Sequence, residues 1–371
     1  MEGAPSPMVR TLLDARPMDI ESIVQRHTHE YVFYGSGKAA LRDGASAIAD
    51  PGENVLLPSY LPDAVDQPFR ELGLEPRYYS VTQELEPDLP DVVDRADERT
   101  VAVMTVNYFG FPQPGLDSIT AVANERGWYH IDDNAHGALS VTDGVLLGTN
   151  GDIGITCLWK LLPVPNGALL YVNDETITSR FERSNLAGTA NRFDARDYRY
   201  ILKSIAKTVL QSNELVKESF DWYVERNGIS ENGTNPEARY DASKTPFSKL
   251  TSRIIGDLDP ADIRNRRRAN FDAWLRVFES QDDVHVLYDE LPDGICPQVF
   301  PIRTTRPKLL LETLDQWEVS GVHTWPRLSP QVRTDTAYEN ARNLAREVVV
   351  LPVHQQIEPE SIESLDGRIE V

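Results

Sequence analysis

Short apolar runs alternate with amphipathic stretches along the first half of the chain. The run Thr100–Tyr108 is almost continuously apolar, which is typical of a strand buried on both faces of a parallel sheet. The stretch Leu116–Arg126 stops at Gly127, the residue expected just after a helix. This alternation predicts an α/β fold built from right-handed βαβ units. The strands predicted in this half are Glu53–Pro58, Pro76–Val81, Thr100–Tyr108, Trp128–Ile131, Ile153–Leu158 and Ala168–Val172, and the helices are Asp19–Arg26, Asp63–Leu72 and Leu116–Arg126.

The pattern changes after Val172. Residues 174–255 are polar and largely helical in pattern, with a Gly/Asn-rich loop at Asn227–Asn235. From Asp259 a long amphipathic helix follows, whose apolar side carries Ile263, Phe271, Trp274 and Phe278. The remaining predicted elements are the strands Val284–Leu287 and Gln298–Ile302 and the helices Lys308–Trp317 and Asp335–Val348.

A chain of 371 residues exceeds the usual size of one domain. We predict an N-terminal lead-in at 1–29, a large domain at 30–240 and a smaller C-terminal α/β domain at 256–371. The hydrophobic content of 40% is enough for a core. No apolar run is long enough for a membrane span, and the N-terminal residues lack the pattern of a secretory signal. We therefore expect a cytoplasmic protein with no membrane partner, in which Cys157 and Cys296 form no disulfide framework.

The net charge of −21 argues against a nucleic-acid partner, because phosphate binding draws on clustered lysine and arginine. The cluster of Arg264 and Arg266–Arg268 lies on a predicted helix and is interpreted as a charged helix face. Only eight of the 37 basic residues are lysine. A diffuse acidic surface of this kind suggests adaptation to high salt, a halophilic character. The group His27, His29 and Glu30 lacks an evident fourth ligand, so no metal is expected.

Candidate chemistry centres on the ends of two predicted strands. Asp132 and Asp133 end one strand, His136 follows in a loop, and Lys160 follows the strand at Ile153–Leu158. An acid and a lysine placed in this way can hold pyridoxal phosphate (PLP), the lysine as Schiff-base partner and the carboxylate beside the pyridinium nitrogen. On these residues alone, a solvated acid and lysine at strand ends is the other interpretation.

A glycine turn, Gly35 to Lys38, opens a helix after an aromatic run. It is no nucleotide P-loop, because Val32 and Ala39 stand at positions where that motif needs glycine and serine or threonine. It is no dinucleotide fingerprint either, because Ala40 replaces its third glycine. Two interpretations stay open: a phosphate site at a helix N-terminus, or an ordinary helix start that Ser36 caps.

Seven segments in this order resemble the DegT/DnrJ/StrS family of PLP-dependent sugar aminotransferases, of the aspartate-aminotransferase fold type I. They are GSGKAAL (35–41), VLLPSY (55–60), VNYFGFPQP (106–114), IDDNAHG (131–137), GDIGITCLWK (151–160), NGALLYVND (166–174) and REVVVLPVH (346–354). The resemblance covers nearly the whole chain and is weakest across 175–255. It implies a three-layer α/β/α large domain with a mainly parallel sheet.

Carried over residue by residue, the resemblance implies the site residues. Asp133 takes the place of the acid that pairs with the pyridine nitrogen. His136 takes that of the glutamine beside the ring hydroxyl, and Lys160 that of the Schiff-base lysine. The turn that binds the cofactor phosphate falls on Ser36, Gly37, Lys38 and Ala39.

This chain also departs from the family pattern. Asp152 and Lys160 are only eight residues apart, and Cys157 replaces the serine that contacts the phosphate, so Thr156 is the expected substitute. The aromatic residue that stacks on the cofactor falls on Pro62, so either Tyr60 or Asn107 and its neighbours are expected to cover the ring.

The resemblance implies transamination of a keto sugar, expected to be nucleotide-linked, with glutamate or glutamine as donor. It also implies a homodimer whose site lies at the subunit interface. Family dehydratases resemble the rest of the pattern but lack the lysine, so Lys160 disfavours that alternative. A non-catalytic homologue that binds a sugar nucleotide or a partner protein is the other. His323, Trp325 and Pro326 are candidates for a substrate cleft, with core packing the preferred interpretation of Trp325. Tyr108, Phe109 and His354 are expected to be structural.

Overall fold

A seven-stranded sheet forms the centre of the N-terminal part of the protein. The computed structural model describes residues 19–28, 30–210, 235–279, 281 and 283–369. The strands are β1 (Tyr31–Tyr34), β2 (Asn54–Pro58), β3 (Glu75–Tyr79), β4 (Thr100–Val106), β5 (Tyr129–Asn134), a small hairpin of β6 (Val141–Thr142) and β7 (Val145–Leu146), β8 (Ile153–Cys157) and β9 (Ala168–Val172). Their order in the large sheet is β1-β9-β8-β5-β4-β2-β3.

The sheet is mainly parallel, as predicted. Strands β3, β2, β4, β5 and β8 pair in parallel, whereas β9 pairs antiparallel with both β8 and β1. The connection from β8 to β9 is too short for a parallel crossover, which explains the reversal. Every residue of the strands β2, β8 and β9 is buried. The continuous apolar runs therefore mark strands inside the sheet.

Helices cover both faces of this sheet. Along β9, Leu170 and Val172 belong to one hydrophobic cluster, while Leu169 and Tyr171 belong to a second cluster with Phe247. Because successive side chains of a strand point to opposite faces, both faces are buried, and the fold is of the three-layer α/β/α class. The helices of this part are α1 (Asp19–Val24), α2 (Gly37–Ser46), α3 (Gln67–Glu71), α4 (Leu89–Arg95), α5 (Leu116–Arg126), α6 (Glu175–Arg180), α7 (Ala195–Leu210), α8 (Pro236–Ser243) and α9 (Lys249–Ile255).

A second, four-stranded antiparallel sheet forms the C-terminal part. Its elements are α10 (Pro260–Phe278), β10 (Val284–Val286), β11 (Val299–Thr304), α11 (Pro307–Gln316), β12 (His323–Thr324), α12 (Pro330–Thr334), α13 (Glu339–Glu347), β13 (Val348–Pro352) and α14 (Pro359–Glu363). The strand order is β10-β11-β13-β12. Trp274 packs on Phe278 and Phe300, and its indole N–H donates to the Pro352 carbonyl oxygen at 2.9 Å. These side chains share one hydrophobic cluster with strands of the large sheet, and the two domain boundaries stay a prediction.

Two predicted helices are shorter in the structure. The helix predicted at Asp63–Leu72 is confined to Gln67–Glu71. Asp63 lies in a turn instead, where its buried carboxylate pairs with Arg239 and Arg327. The helix predicted at Asp335–Val348 covers Glu339–Glu347 only.

The sequence analysis missed five strands of the structure, which are β1, β6, β7, β12 and β13. Val348 begins β13, which pairs with both β11 and β12 and so lies inside the second sheet. The strand follows α13 without an intervening loop, so its first apolar residue was assigned to the helix. The strand predicted at Thr100–Tyr108 ends at Val106, because residues 108–110 form a 3₁₀ turn. The predicted loop at Asn227–Asn235 lies outside the described residues except for Asn235, which caps α8.

His29 of the histidine group also lies outside the described residues. Within the described ranges, no helix has the length and apolar character that a bilayer crossing needs.

Candidate active site

Asp133 lies near the carboxyl end of β5, between the ends of two neighbouring parallel strands. It is aligned with Val106 of β4 and Ile155 of β8. Its side chain is buried, and one carboxylate oxygen accepts a hydrogen bond from the backbone N–H of Ala135 at 2.9 Å. Asp132 points to the other face of the strand. Of the two acids, Asp133 is therefore the one on the face of Ile155.

The carboxylate of Asp132 is engaged in hydrogen bonds within the protein. Its carboxylate accepts from the Asn107 amide at 2.6 Å and from the backbone N–H groups of Gly148 and Asn150, both at 3.0 Å. Asn107 is thereby held away from a ring-covering role, since its amide oxygen also accepts from the Gln113 N–H. Asp132 and Asn107 thus fix the loops around the site.

Burial dominates the electrostatics of Asp133 and raises its pKa from 3.8 to about 6. The charge of Lys160 and the Ala135 N–H oppose this rise, and the charge of Asp132 adds to it. A buried carboxylate with a single hydrogen bond is costly to ionise unless a cation comes to it. The site therefore presents an acid that would be stabilised by a positively charged partner such as a pyridinium.

Lys160 ends the 3₁₀ turn Leu158–Lys160 that follows β8, and its side chain is half-buried. Its charge acts on Asp133, His136 and Cys157, which brings the predicted acid, histidine and lysine into one site. No side chain or backbone group in the described ranges forms a hydrogen bond or ion pair with the Lys160 ammonium that would compete with a ligand.

His136 is buried beneath this lysine. Its Nδ1 accepts a hydrogen bond from the backbone N–H of Phe109 at 3.0 Å. The phenyl ring of Phe109 lies nearly parallel to the imidazole of His136, with 6.0 Å between the ring centroids. The indole of Trp325 packs edge-on against the same imidazole, with a centroid distance of 5.2 Å. Burial lowers the pKa of His136 well below 6.5, and the charge of Lys160 lowers it further. The ring is therefore neutral at physiological pH.

The predicted phosphate turn lies against β8, on the same face as Asp133. Ser36 caps α2, and its Oγ accepts from the Ala39 N–H at 3.2 Å. A Cβ on Gly37 would come within 2.7 Å of Cys157 Sγ, so only glycine fits this approach. Lys38 is half-buried and Ala39 is fully buried in the first turn of the helix.

A distant segment supports this turn. The N–H of Gly35 donates to the Thr245 carbonyl oxygen at 2.9 Å, and the carbonyl of Gly35 accepts from the Gly167 N–H at 3.0 Å. A Cβ on Gly35 would meet the Thr245 carbonyl oxygen at 2.3 Å. Nothing in the sequence near Thr245 indicated this contact.

The structure places Cys157, and not Thr156, beside the phosphate turn. Thr156 points to the opposite face of β8, where its hydroxyl donates to the Asn134 carbonyl oxygen at 2.9 Å. The prediction that Thr156 replaces the missing serine is therefore not supported by its position. Burial raises the pKa of the Cys157 thiol, which stays protonated at neutral pH although Lys160 and the Gly37 N–H lower it.

Tyr60 belongs to an aromatic wall at the edge of the site. Its ring is fully buried, 5.1 Å from Trp325 and 5.5 Å from Tyr108, and its hydroxyl donates to the Trp325 carbonyl oxygen at 2.6 Å. Trp325 in turn contacts His136 and Phe109. Of the predicted cleft residues, Trp325 thus joins the site, whereas His323 is exposed and Pro326 is buried.

These residues fit PLP by their chemistry. Among the described residues, a buried acid that forms no ion pair, a lysine that forms no hydrogen bond and a helix N-terminus lie on one face of the sheet. They match the pyridinium nitrogen, the aldehyde and the phosphate of that cofactor.

The mainly parallel sheet with helices on both faces is the α/β/α fold of PLP-dependent transferases. Two solved structures of this kind resemble the chain. One is the aminotransferase TlmJ from Streptoalloteichus hindustanus, 20% identical with a TM-score of 0.66 over 94% of this chain and 87% of that chain. Another is the E. coli GDP-4-keto-6-deoxy-D-mannose-3-dehydratase with bound hydrated PLP, 15% identical with a TM-score of 0.66 over 100% and 99%. At these identities the likeness shows the fold.

Residues 27–206 match the model of the DegT/DnrJ/EryC1/StrS aminotransferase family. The resemblance inferred from the sequence motifs is thereby confirmed. The chain is also 24% identical over 182 residues to a GDP-perosamine synthase of Vibrio cholerae, which is 47% of this chain and 49% of that protein. The chain therefore spans about half the length of the curated relative that it matches.

Proposed function

We propose that the protein is a PLP-dependent aminotransferase that converts a keto sugar into an amino sugar. The observation that carries the proposal is the position of Asp133 and Lys160 on one face of the sheet, beside the N-terminus of α2. The matches to a sugar aminotransferase family and to a GDP-perosamine synthase support a nucleotide-linked sugar as substrate. Glutamate or glutamine would be the amino donor, and the product would serve polysaccharide or glycan synthesis in the cytoplasm.

Each residue has a separate task in this proposal. When bound, PLP supplies an electron sink for the carbon from which a proton is removed. Asp133 pairs with its ring nitrogen and keeps that nitrogen protonated. Lys160 would hold the cofactor covalently and, as a free amine, would move a proton at the substrate carbon. The first turn of α2, with Ser36, Gly37, Lys38 and Ala39, holds the phosphate.

The decisive experiment is a spectrum of the purified protein with added PLP. A visible absorption band that shifts on addition of glutamate is expected. Lys160→Ala should remove the covalent band, while Lys308→Ala, which removes an exposed lysine of α11, should leave it unchanged. A protein that takes up no PLP would exclude the enzyme and leave the non-catalytic homologue as the remaining interpretation.

A sugar dehydratase is the second candidate, because the E. coli dehydratase structure covers the whole chain. Lys160 at the end of β8 favours amino transfer over dehydration, since the dehydratases of the family lack this lysine. Incubation with glutamate and a nucleotide-linked 4-keto sugar distinguishes the two reactions by the product. Mass spectrometry would show an amino sugar after transfer and a deoxy sugar after dehydration.

We also propose a homodimer with the site near the subunit interface. The side chain of Trp159, which precedes Lys160, has 45% of its surface exposed. An exposed tryptophan beside a buried site is an apolar surface that a second copy would cover. Light scattering should give twice the chain mass for the native protein, and Trp159→Glu should shift it toward the single-chain mass. Trp317→Glu, at an equally exposed tryptophan of the C-terminal part, is the matched control.

A further inference from the structure

We propose that the backbone N–H of Phe109 fixes His136 as the neutral tautomer with its proton on Nε2, so that His136 serves the cofactor as a hydrogen-bond donor. A backbone N–H can only donate, so the ring nitrogen that it reaches must hold a lone pair. That nitrogen is Nδ1, at 3.0 Å from the Phe109 nitrogen. A neutral imidazole with a bare Nδ1 carries its hydrogen on Nε2.

The conformation of Phe109 shows that this donor is held in place. Its φ of 59° and ψ of 11° lie in the left-handed region, which residues other than glycine seldom adopt. The neighbouring segment enforces it, because the Phe109 carbonyl oxygen accepts from the Gln298 N–H at 2.8 Å. Gly110 follows with a φ of 94°, where a Cβ would meet the Cys296 carbonyl oxygen at 2.8 Å. The strained backbone therefore aims one N–H at one ring nitrogen.

The second ring nitrogen remains available. No group in the described ranges forms a hydrogen bond with Nε2 of His136, while Phe109 and Trp325 pack against the ring and fix its plane. The charged groups near the ring are Lys160, whose charge opposes a second proton on it, and Asp133, three residues earlier in β5. The Nε2–H is therefore left to donate to a bound cofactor; that this cofactor is PLP rests on the proposed function.

The tautomer can be measured in the protein without PLP. Nitrogen NMR of ¹⁵N-histidine-labelled protein separates a bare ring nitrogen from a protonated one, and the His136→Gln variant identifies the signal among the seven histidines. We expect a bare Nδ1, a protonated Nε2 and no change between about pH 6 and 8. A protonated Nδ1, a mixture of tautomers or a charged ring would overturn the proposal. The result does not depend on whether the protein binds PLP or has transferase activity.

A matched pair of variants tests the role of the Phe109 backbone. Phe109→Asn and Phe109→Val both remove the phenyl ring, but asparagine tolerates the left-handed region and valine does not. The Asn variant should keep the Nε2 tautomer and the PLP dissociation constant within about threefold. The Val variant should show mixed tautomers and bind PLP about tenfold more weakly, as the loss of one hydrogen bond predicts. Identical tautomers in both variants would show that the Phe109 N–H does not set the proton.

His136 itself gives a second, independent test. In His136→Gln, the amide oxygen can accept the Phe109 N–H while the amide nitrogen donates toward the cofactor. Equilibrium dialysis should therefore give a PLP dissociation constant within about threefold of the native value, against about a tenfold loss for His136→Leu. Equal losses in both variants would reduce His136 to a packing residue.

Discussion

A Cβ on Gly37 would lie 2.7 Å from Cys157 Sγ, so the first turn of α2 and the end of β8 are in direct contact. The turn that would hold the phosphate and the strand that carries Lys160 are therefore one packed unit. Any change in the size of either residue must alter the spacing between phosphate and lysine.

Gly37→Ala should destabilise the protein, and Cys157→Ala should relieve the effect. The added methyl group overlaps the thiol, and overpacking of this kind costs about 1–3 kcal/mol. In the double variant the smaller side chain at position 157 makes room, so the two effects should not add. Urea unfolding of the four proteins measures the coupling. Additive free energies would show that the two sites do not touch.

The pH dependence of stability should report Asp133 in the protein without PLP. Its pKa is raised to about 6, so the folded protein binds this proton more tightly than the unfolded chain does. The free energy of unfolding therefore loses about 3 kcal/mol from this group as the pH rises from about 4 to above 6. Asp133→Asn escapes that loss, so the variant should be more stable than the native protein at pH 8 and similar to it at pH 4.

Saturating PLP should reverse this order at pH 8, because the cation of the cofactor ring stabilises the Asp133 carboxylate and not the amide. Unfolding curves with and without PLP, at both pH values, provide the comparison. A difference between the two proteins that is independent of pH would contradict a raised pKa.

Arg267→Lys should lower both stability and cofactor affinity. Arg267 is a buried cation whose guanidinium donates to the carbonyl oxygens of Pro297, Gln298 and Leu161, each at 3.0 Å. Burial lowers its pKa to about 10. Lysine lacks the planar fork that reaches several carbonyls at once, and breaking such a buried set costs about 3 kcal/mol.

The matched control for this prediction is Arg266→Lys, on the same helix but with 49% of its side chain exposed. Its free energy of unfolding should stay within about 0.5 kcal/mol of the native value. Because Leu161 directly follows Lys160, only the Arg267 variant should weaken PLP binding. Equal effects from both arginines would show that helix charge, and not the buried contacts, is responsible.

Salt should stabilise the protein strongly. The net charge of −21 produces self-repulsion in the folded state, which added ions screen. The melting temperature should rise steadily with KCl concentration up to molar levels. A parallel series with an uncharged osmolyte at the same osmolality separates charge screening from the exclusion of solutes from the protein surface. A melting temperature indifferent to KCl would remove the halophilic interpretation.

The parallel sheet and the meeting of Asp133 with Lys160 could be predicted from the sequence, because both follow from local patterns. Apolar runs mark strands buried on both faces, and the carboxyl ends of parallel strands meet at one edge. The helix predicted from Asp63 failed because a buried ion pair with Arg239 and Arg327, both distant in sequence, holds that residue in a turn.

Other parts of the site leave no local signal. Phe109 acts through its backbone N–H and an unusual φ, so its side chain was interpreted as packing, which is also correct. Arg267 was interpreted as part of a charged helix face, yet it is buried and donates to carbonyl groups of the segment before β11 and of Leu161, which follows Lys160. Alternation along β8 was available from the sequence and would have placed Thr156 on the face opposite Cys157.

The contact of Gly35 with Thr245 has a consequence for the order of events during synthesis. The phosphate turn leaves the ribosome well before the carbonyl that fixes its glycine, which lies between α8 and α9. Closing so long a loop is slow, and it must precede the final shape of the turn. A nascent chain that stops before Thr245 should therefore form the parallel strands yet fail to retain the cofactor, so that loading with PLP becomes a late step of biogenesis.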